Sequence, residues 1–370
     1  MIYLDYNATA PLHPAVRAKM EPLLGQPLNP SSIHGAGRAA KKLLEDARGQ
    51  IAGALSAFAN EVLFTASGTE ANNMVLRAFA AERLLLVSAV EHASIAKTAS
   101  GLGAAVIPVN EQGVVETAAL ELQLARLGRP ALVSVMLANN ETGVIQPIAE
   151  ISRIARAHGG LLHVDAVQAL GKTPLDWGLL GADMLTISAH KAGGPVGVAA
   201  LLIRGDLPIK PLLTGGGQEL GRRAGTENIA AITGFAARVE QVCGCAEAAK
   251  WRDWQSWLEQ QLTAAAPEAK VMGLNAQRLP QTLCITMPGV KSETQLMNFD
   301  LAGFAVSAGS ACSSGRVNTS HVLLAMGLPP QIAETAIRIS WGWGTTQAEI
   351  ESFAAAWRAV YERIGTKKSA

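Results

Sequence analysis

The chain has 370 residues, 49% hydrophobic and only 16% charged, with a formal net charge of +1. That composition excludes a disordered chain, and the balanced charge leaves no basic face for nucleic acid. The length calls for one large domain plus a smaller one, placed here at residues 11–247 and at residues 1–10 with 248–370.

Met1-Ile2-Tyr3-Leu4-Asp5-Tyr6-Asn7 lacks the charged and apolar regions of a secretory signal, and apolar runs such as 196–203 are too short to span a bilayer. A soluble, cytoplasmic protein without a membrane partner is expected. The four cysteines Cys243, Cys245, Cys284 and Cys312 are too few for a disulfide framework. Cys243-Gly244-Cys245 is not a zinc spacing, so no metal is expected, and the pair reads as two thiols on a helix.

In chain order, residues 61–65 read as a strand, 70–80 as a helix, and 84–88 and 131–136 as strands. A helix at 148–158 leads to a strand at 161–164, and strands follow at 184–188 and 197–203. Continuous apolar strands separated by helices predict a mainly parallel sheet covered on both faces. A long helical stretch then covers 229–265, with Trp251, Trp254 and Trp257 as a packed stripe. A second α/β unit runs from residue 270 to the end.

Several segments between these elements carry chemistry. Ser67-Gly68-Thr69 joins a strand to a helix, whose first N–H groups favour an anion; an ordinary N-cap is the plainer reading. His92 is either a satisfied strand-end histidine or an imidazole that stacks on a planar cofactor. Asn139-Asn140-Glu141-Thr142-Gly143 forms a turn in any case, and its amides also suit a carboxylate or a ring substituent. Asp165, at a buried strand end, suits either a protonated ring nitrogen or a helix N-cap; Gln168 suits either a ligand or a capping box.

Lys191, in Ser188-Ala189-His190-Lys191, enters a Gly193-Gly194-Pro195 turn. A lysine in such an enclosed place can hold an aldehyde cofactor as a Schiff base, with Ser188 and His190 placed to donate to a phosphate. The glycine-rich 215–217 and Arg223-Ala224-Gly225-Thr226 suit a phosphate contact or a mobile loop. Arg338 interrupts an apolar strand, where a guanidinium can clamp a carboxylate. Cys312 lies in a serine- and glycine-rich stretch, Ser307-Ala308-Gly309-Ser310-Ala311-Cys312-Ser313-Ser314-Gly315, and is a candidate nucleophile against the plainer reading of a small buried hydrophobe.

Together these segments, with Tyr3 to Thr9, Asn29 to His34 and Phe64 to Asn72, resemble the cysteine desulfurases over nearly the whole chain. Those are pyridoxal 5′-phosphate enzymes of the class V aminotransferase family. Ser-Ala-Gly-Ser-Ala-Cys resembles the group that includes NifS and IscS. The resemblance implies an aspartate-aminotransferase-like α/β fold: a large domain with a mainly parallel sheet plus a smaller α/β domain. It also implies that Lys191 carries the cofactor, Asp165 holds the ring nitrogen protonated, His92 stacks on the ring and Gln168 meets its phenolic oxygen. Gly68, Thr69, Ser188 and His190 would hold the phosphate, with Thr226 coming from the second subunit of a homodimer. Asn140 and Arg338 would bind the carboxylate of L-cysteine, and Cys312 would accept its sulfur for delivery to a protein such as an iron–sulfur scaffold.

The chain departs from the family at Gly194-Pro195-Val196-Gly197, at Trp341-Gly342-Trp343-Gly344 and in its shorter C-terminus. The rival readings are an aminotransferase or lyase in which Cys312 is incidental, and a non-catalytic binding protein of the same fold.

Overall fold

The computed structural model describes residues 1–126, 128–205, 207–311 and 317–365. Seven strands make the main sheet, in the order Val62–Thr65, Ala199–Ile203, Met184–Ser188, Leu161–Asp165, Ala131–Met136, Leu84–Ser88 and Ala105–Ile107. The last five run parallel. Ala199–Ile203 runs against both neighbours, so the segment read at 197–203 starts later and is the one reversed strand.

Alternate residues of each strand enter opposite cores, as the two-residue period requires. Val62, Phe64, Leu86, Val133 and Val135 pack with Leu44, Ile51 and Phe235. Leu63, Leu85, Val87 and Leu132 pack with Met74, Val75 and Ile95 on the other face. Each fully buried Leu, Ile or Phe among them contributes about 1.5–3 kcal/mol. The sheet is therefore sandwiched, and its strand ends are held rigidly enough to place side chains. Met136, Asp165 and Thr186 are aligned in register on adjacent strands, so the C-terminal ends form one rim.

A separate core gathers Leu4, Trp251, Leu258, Leu283, Phe299, Ile339, Trp341, Phe353 and Trp357. It is built on an antiparallel sheet of Ser307–Ala308, Ala336–Ser340 and Thr282–Thr286. We propose that the two units meet at residues 243–247, where the stretch 229–265 divides into helices Ile229–Val242 and Ala248–Ala265.

The thiol pair does not lie on a helix: Cys243 caps the first of these helices and Cys245 stands in the turn with φ of 49°. The tryptophan stripe is also corrected. Trp251 is buried and Trp254 half-buried, but Trp257 is exposed. A spacing of three falls about 60° short of a full helical turn, and two such steps carry Trp257 off the packed face. Among the described residues no helix is long and apolar enough to cross a membrane, and no cluster could hold a metal ion.

Candidate active site

The rim of the sheet gathers the segments singled out above. Lys191 ends a single helical turn, Ala189–Lys191, just after the Met184–Ser188 strand. Its Nζ donates to Asn7 O and Ala8 O, each at 2.7 Å. Among the described residues it has no ion pair. Burial, followed by the Arg338 charge, lowers its pKa to about 8, while Asp5 and Asp165 pull upward. It is therefore an amine that releases its proton far more easily than a surface lysine.

One departure from the family pattern, Trp343, lies against this turn. Gly193 has φ of 90°, and a Cβ there would lie 3.0 Å from the Trp343 indole nitrogen. Trp343 donates to Pro11 O at 3.2 Å and packs edge-on against His13. A Cβ on Gly342 would fall 2.2 Å from the Tyr6 ring, so that glycine makes room for the residue beside Asn7. Trp341 fills the second core, and Val196 is exposed.

Asp165 is buried, accepting from Asn72 Nδ2 at 2.7 Å and from the Val167 N–H at 2.9 Å. The residues that follow form turns, so its carboxylate caps no helix. Burial raises its pKa, and those two donors together with His92 and Lys191 act against the rise. A carboxylate so held is suited to a cationic ring nitrogen.

Asn72 also donates to Ser94 Oγ at 2.9 Å, and Ser94 Oγ lies 2.9 Å from His92 Nδ1. That nitrogen accepts from the Ser94 N–H at 3.2 Å, which leaves the ring proton on Nε2. His92 caps the Ala93–Gly101 helix, and burial lowers its pKa. One chain of contacts thus runs from His92 to Asp165.

Ser67 caps the Gly68–Phe79 helix by accepting from the Glu70 N–H at 3.1 Å. A Cβ on Gly68 would come within 2.9 Å of Val167 and 3.8 Å of Ser188 Cβ, so glycine lets the helix start close against the rim. Thr69 is exposed, Ser188 is buried, and His190 Nδ1 lies 3.2 Å from Thr9 Oγ1. Burial, with Lys191 and Lys172, lowers the His190 pKa to about 4. These groups offer neutral donors beside a helix N-terminus, the setting an anion requires.

Asn7 joins the remaining groups. Its carbonyl accepts from Lys191 and from Gln168 Nε2 at 2.9 Å. Its amide nitrogen donates to Asn140 O at 3.1 Å, and Arg338 Nη1 donates to the same carbonyl at 3.0 Å. Arg338 Nη2 reaches Asp5 Oδ1 at 2.6 Å, while its buried Nε has no partner among the described residues. Lys172 is fully enclosed, donating to Gln168 Oε1 at 2.7 Å and Asn7 Oδ1 at 3.3 Å. Burial, then Lys191 and Arg338, lowers its pKa well below the usual value.

Thr226 is not joined to this group within one chain. It is exposed and lines a cavity of about 190 Å³ with Thr65, Ala66, Gly197 and Arg223. Cys312 lies outside the described residues. Asn7, Asn72, Ser94 and Lys172 were given no role by the sequence. Asn7 and Asn72 sit inside segments already quoted, whereas a lone lysine at position 172 reads as a surface charge.

The sequence matches the family Aminotransferase class-V over residues 2–353. Cysteine desulfurase 2 of Trichormus variabilis is 41% identical, covering 98% of this chain and 94% of that protein. The structure of a NifS-like protein from Rickettsia africae is similar with a TM-score of 0.91 at 39% identity, covering 98% of this chain and 99% of the other. A structure described as SspA in complex with cysteine matches with a TM-score of 0.80 at 29% identity, over 92% and 98% of the two chains. The chain belongs to the class-V aminotransferase family, within its cysteine desulfurases.

Proposed function

We propose that this protein removes sulfur from L-cysteine with pyridoxal 5′-phosphate, releasing L-alanine and leaving the sulfur as a persulfide on Cys312. The observation that carries the reading is Lys191: a half-buried amine on two backbone carbonyls, with no carboxylate partner among the described residues, beside Asp165 and Arg338. The residues fit the cofactor. Asp165 would meet a cationic ring nitrogen, His92 its face and Gln168 a ring oxygen. Gly68, Thr69, Ser188 and His190 would hold its phosphate. The bound cofactor supplies a sink for the electron pair left at the substrate α-carbon.

The chain supplies the rest. Asn140 and Arg338 orient the substrate carboxylate. Lys191 would take the α-proton and return it, which its pKa near 8 suits. The Cys312 thiolate forms an S–S bond with the substrate sulfur as the C–S bond breaks, so sulfur passes to the enzyme and carbon leaves as L-alanine.

A homodimer follows from Thr226, whose hydroxyl completes the phosphate site of the second subunit. The exposed Leu212, Leu213 and Leu220 in the same segment give that subunit an apolar surface to cover. The persulfide then passes to an acceptor protein such as an iron–sulfur scaffold.

Intact mass after L-cysteine, without reductant and with the modified peptide mapped, tests the reading. A reductant-labile sulfur on Cys312 is expected in the wild type, and neither sulfur nor L-alanine with Lys191→Ala. An unmodified Cys312 with the cofactor converted to its amine form overturns the desulfurase and leaves an aminotransferase.

A further inference from the structure

Glu141 is a buried carboxyl group with no place in the chemistry above. It follows Asn140 in the Asn139–Gly143 turn, which is held by Asn139 Oδ1 accepting from the N–H groups of Glu141 and Thr142, each at 2.9 Å. Its side chain points at two residues distant in sequence. Ser320 Oγ donates to Glu141 Oε2 at 2.5 Å. On the other side, a Cβ on Gly309 would fall 2.4 Å from the same Oε2 and 2.9 Å from Ser320 Cβ. The carboxyl group therefore occupies the space that any side chain at position 309 would need.

Gly309 and Ser320 bracket one element. Ser310–Ala311 pairs antiparallel with Val317–Asn318, with Ser310 opposite Asn318 and Ala311 opposite Val317. The connection across that ladder carries Cys312. Before Gly309, Ser307–Ala308 pairs with the Arg338 strand. After it, Ser320 accepts from the Leu323 N–H at 3.2 Å and starts the His321–Ala325 helix, and His321 Nε2 lies 3.0 Å from Glu91 O. Both ends of the ladder thus meet on one carboxyl group, in the turn that carries Asn140.

We propose that Glu141 is a positioning residue for sulfur transfer: it ties the segments on either side of residues 312–316, through Gly309 and Ser320, to the turn that holds the substrate carboxylate. The proposal rests on the desulfurase reading and adds to it a residue that touches neither substrate nor cofactor. A single fixed point shared by the two flanking segments holds them in one place relative to the substrate site, and placement dominates an in-line transfer between two sulfurs. Burial raises the Glu141 pKa, with Ser320, His321 and Arg338 acting against it. A neutral acceptor should accordingly serve the Ser320 hydroxyl as well as a carboxylate.

The test separates binding from transfer in the cofactor-loaded protein. L-alanine affinity is read from the cofactor absorption, and single-turnover sulfur loading of Cys312 is read by mass. Glu141→Ala is expected to slow loading at least tenfold while the L-alanine dissociation constant stays within threefold. Glu141→Gln, which still accepts from Ser320, should restore loading to within threefold of wild type. Gly309→Ala pushes the same contact apart from the other side without altering the Asn140 turn, and should reproduce the split if Glu141→Ala fails to fold. Unchanged loading in both variants, or L-alanine affinity falling in parallel with loading, overturns the proposal. A wild-type chain that binds L-alanine but never loads Cys312 removes the desulfurase reading, and this one with it.

Discussion

Replacing Arg338 with Met tests the carboxylate clamp most directly. The guanidinium is 6% exposed and already spends Nη2 on Asp5 at 2.6 Å and Nη1 on Asn140 O at 3.0 Å. A substrate carboxylate in a fork geometry gains two charge-assisted bonds, each worth about 1.5–3 kcal/mol. Part of this replaces the Asp5 contact, so a net loss of about 3–4 kcal/mol is expected, or roughly 10²–10³-fold in affinity. The assay is titration with L-alanine, followed through the cofactor absorption, beside the same titration with cysteamine, which is L-cysteine without its carboxylate. L-alanine should weaken by that factor and cysteamine by less than threefold. Folding should suffer less than the full cost of breaking a buried pair, because Asp5 is 17% exposed and keeps the Ser307 hydroxyl at 2.7 Å. Equal weakening of both ligands would refute the clamp, since only one of them has a carboxylate to lose.

Recombination of the apoprotein with pyridoxal 5′-phosphate should follow the free amine of Lys191. Its rate should rise with pH to half-maximum near 8, and a midpoint above 10 would contradict the burial argument. Glu91 is wholly buried, with Ser88 Oγ and the Met136 N–H on one oxygen and no partner among the described residues on the other, and burial pushes its pKa up to about 8. The folded state then binds the proton more tightly than the unfolded chain, whose carboxyl titrates near 4.5. This group's contribution to stability is therefore fully present below 4.5 and is lost as pH rises through about 8. Urea titrations should show Glu91→Gln gaining on the wild type between pH 5 and 8; a pH-independent difference would count against this account.

The parallel sheet is legible in the sequence because its strands are buried on both faces and so read as unbroken apolar runs. The Gly35–Ala54 helix is harder to read. Its core contacts are Ala40, Leu44, Ala47 and Ile51, spaced three and four apart among lysines, glycines and alanines, so its apolar stripe is thin. Ala105–Ile107 is a three-residue edge strand with two exposed positions, which leaves almost no pattern. Lys191, Asp165 and Arg338 could be singled out because each is a charge in an apolar context. Lys172 could not, since nothing local distinguishes a lysine that the fold will enclose.

What the sequence hides most completely is the meeting of the two units. Asn7 and Ser340 are 333 residues apart, yet the Asn7 N–H donates to Ser340 Oγ at 2.9 Å. Asp5 forms an isolated parallel bridge with Ser340 and an ion pair with Arg338. Leu4, one residue earlier, is buried in the second core. The first residues of the chain therefore belong to the second unit by packing, while Asn7 reaches Lys191, Gln168 and Asn140 on the first. Loss of that short segment would do more than fray a terminus. It would remove both carbonyls that hold the lysine amine and the carboxylate that holds the arginine, leaving contacts such as Arg338 to Asn140 O to join the two halves of the site. Residues 5–9 thus serve, beside the direct contact of Arg338 with Asn140, as a physical link that makes one site out of two cores.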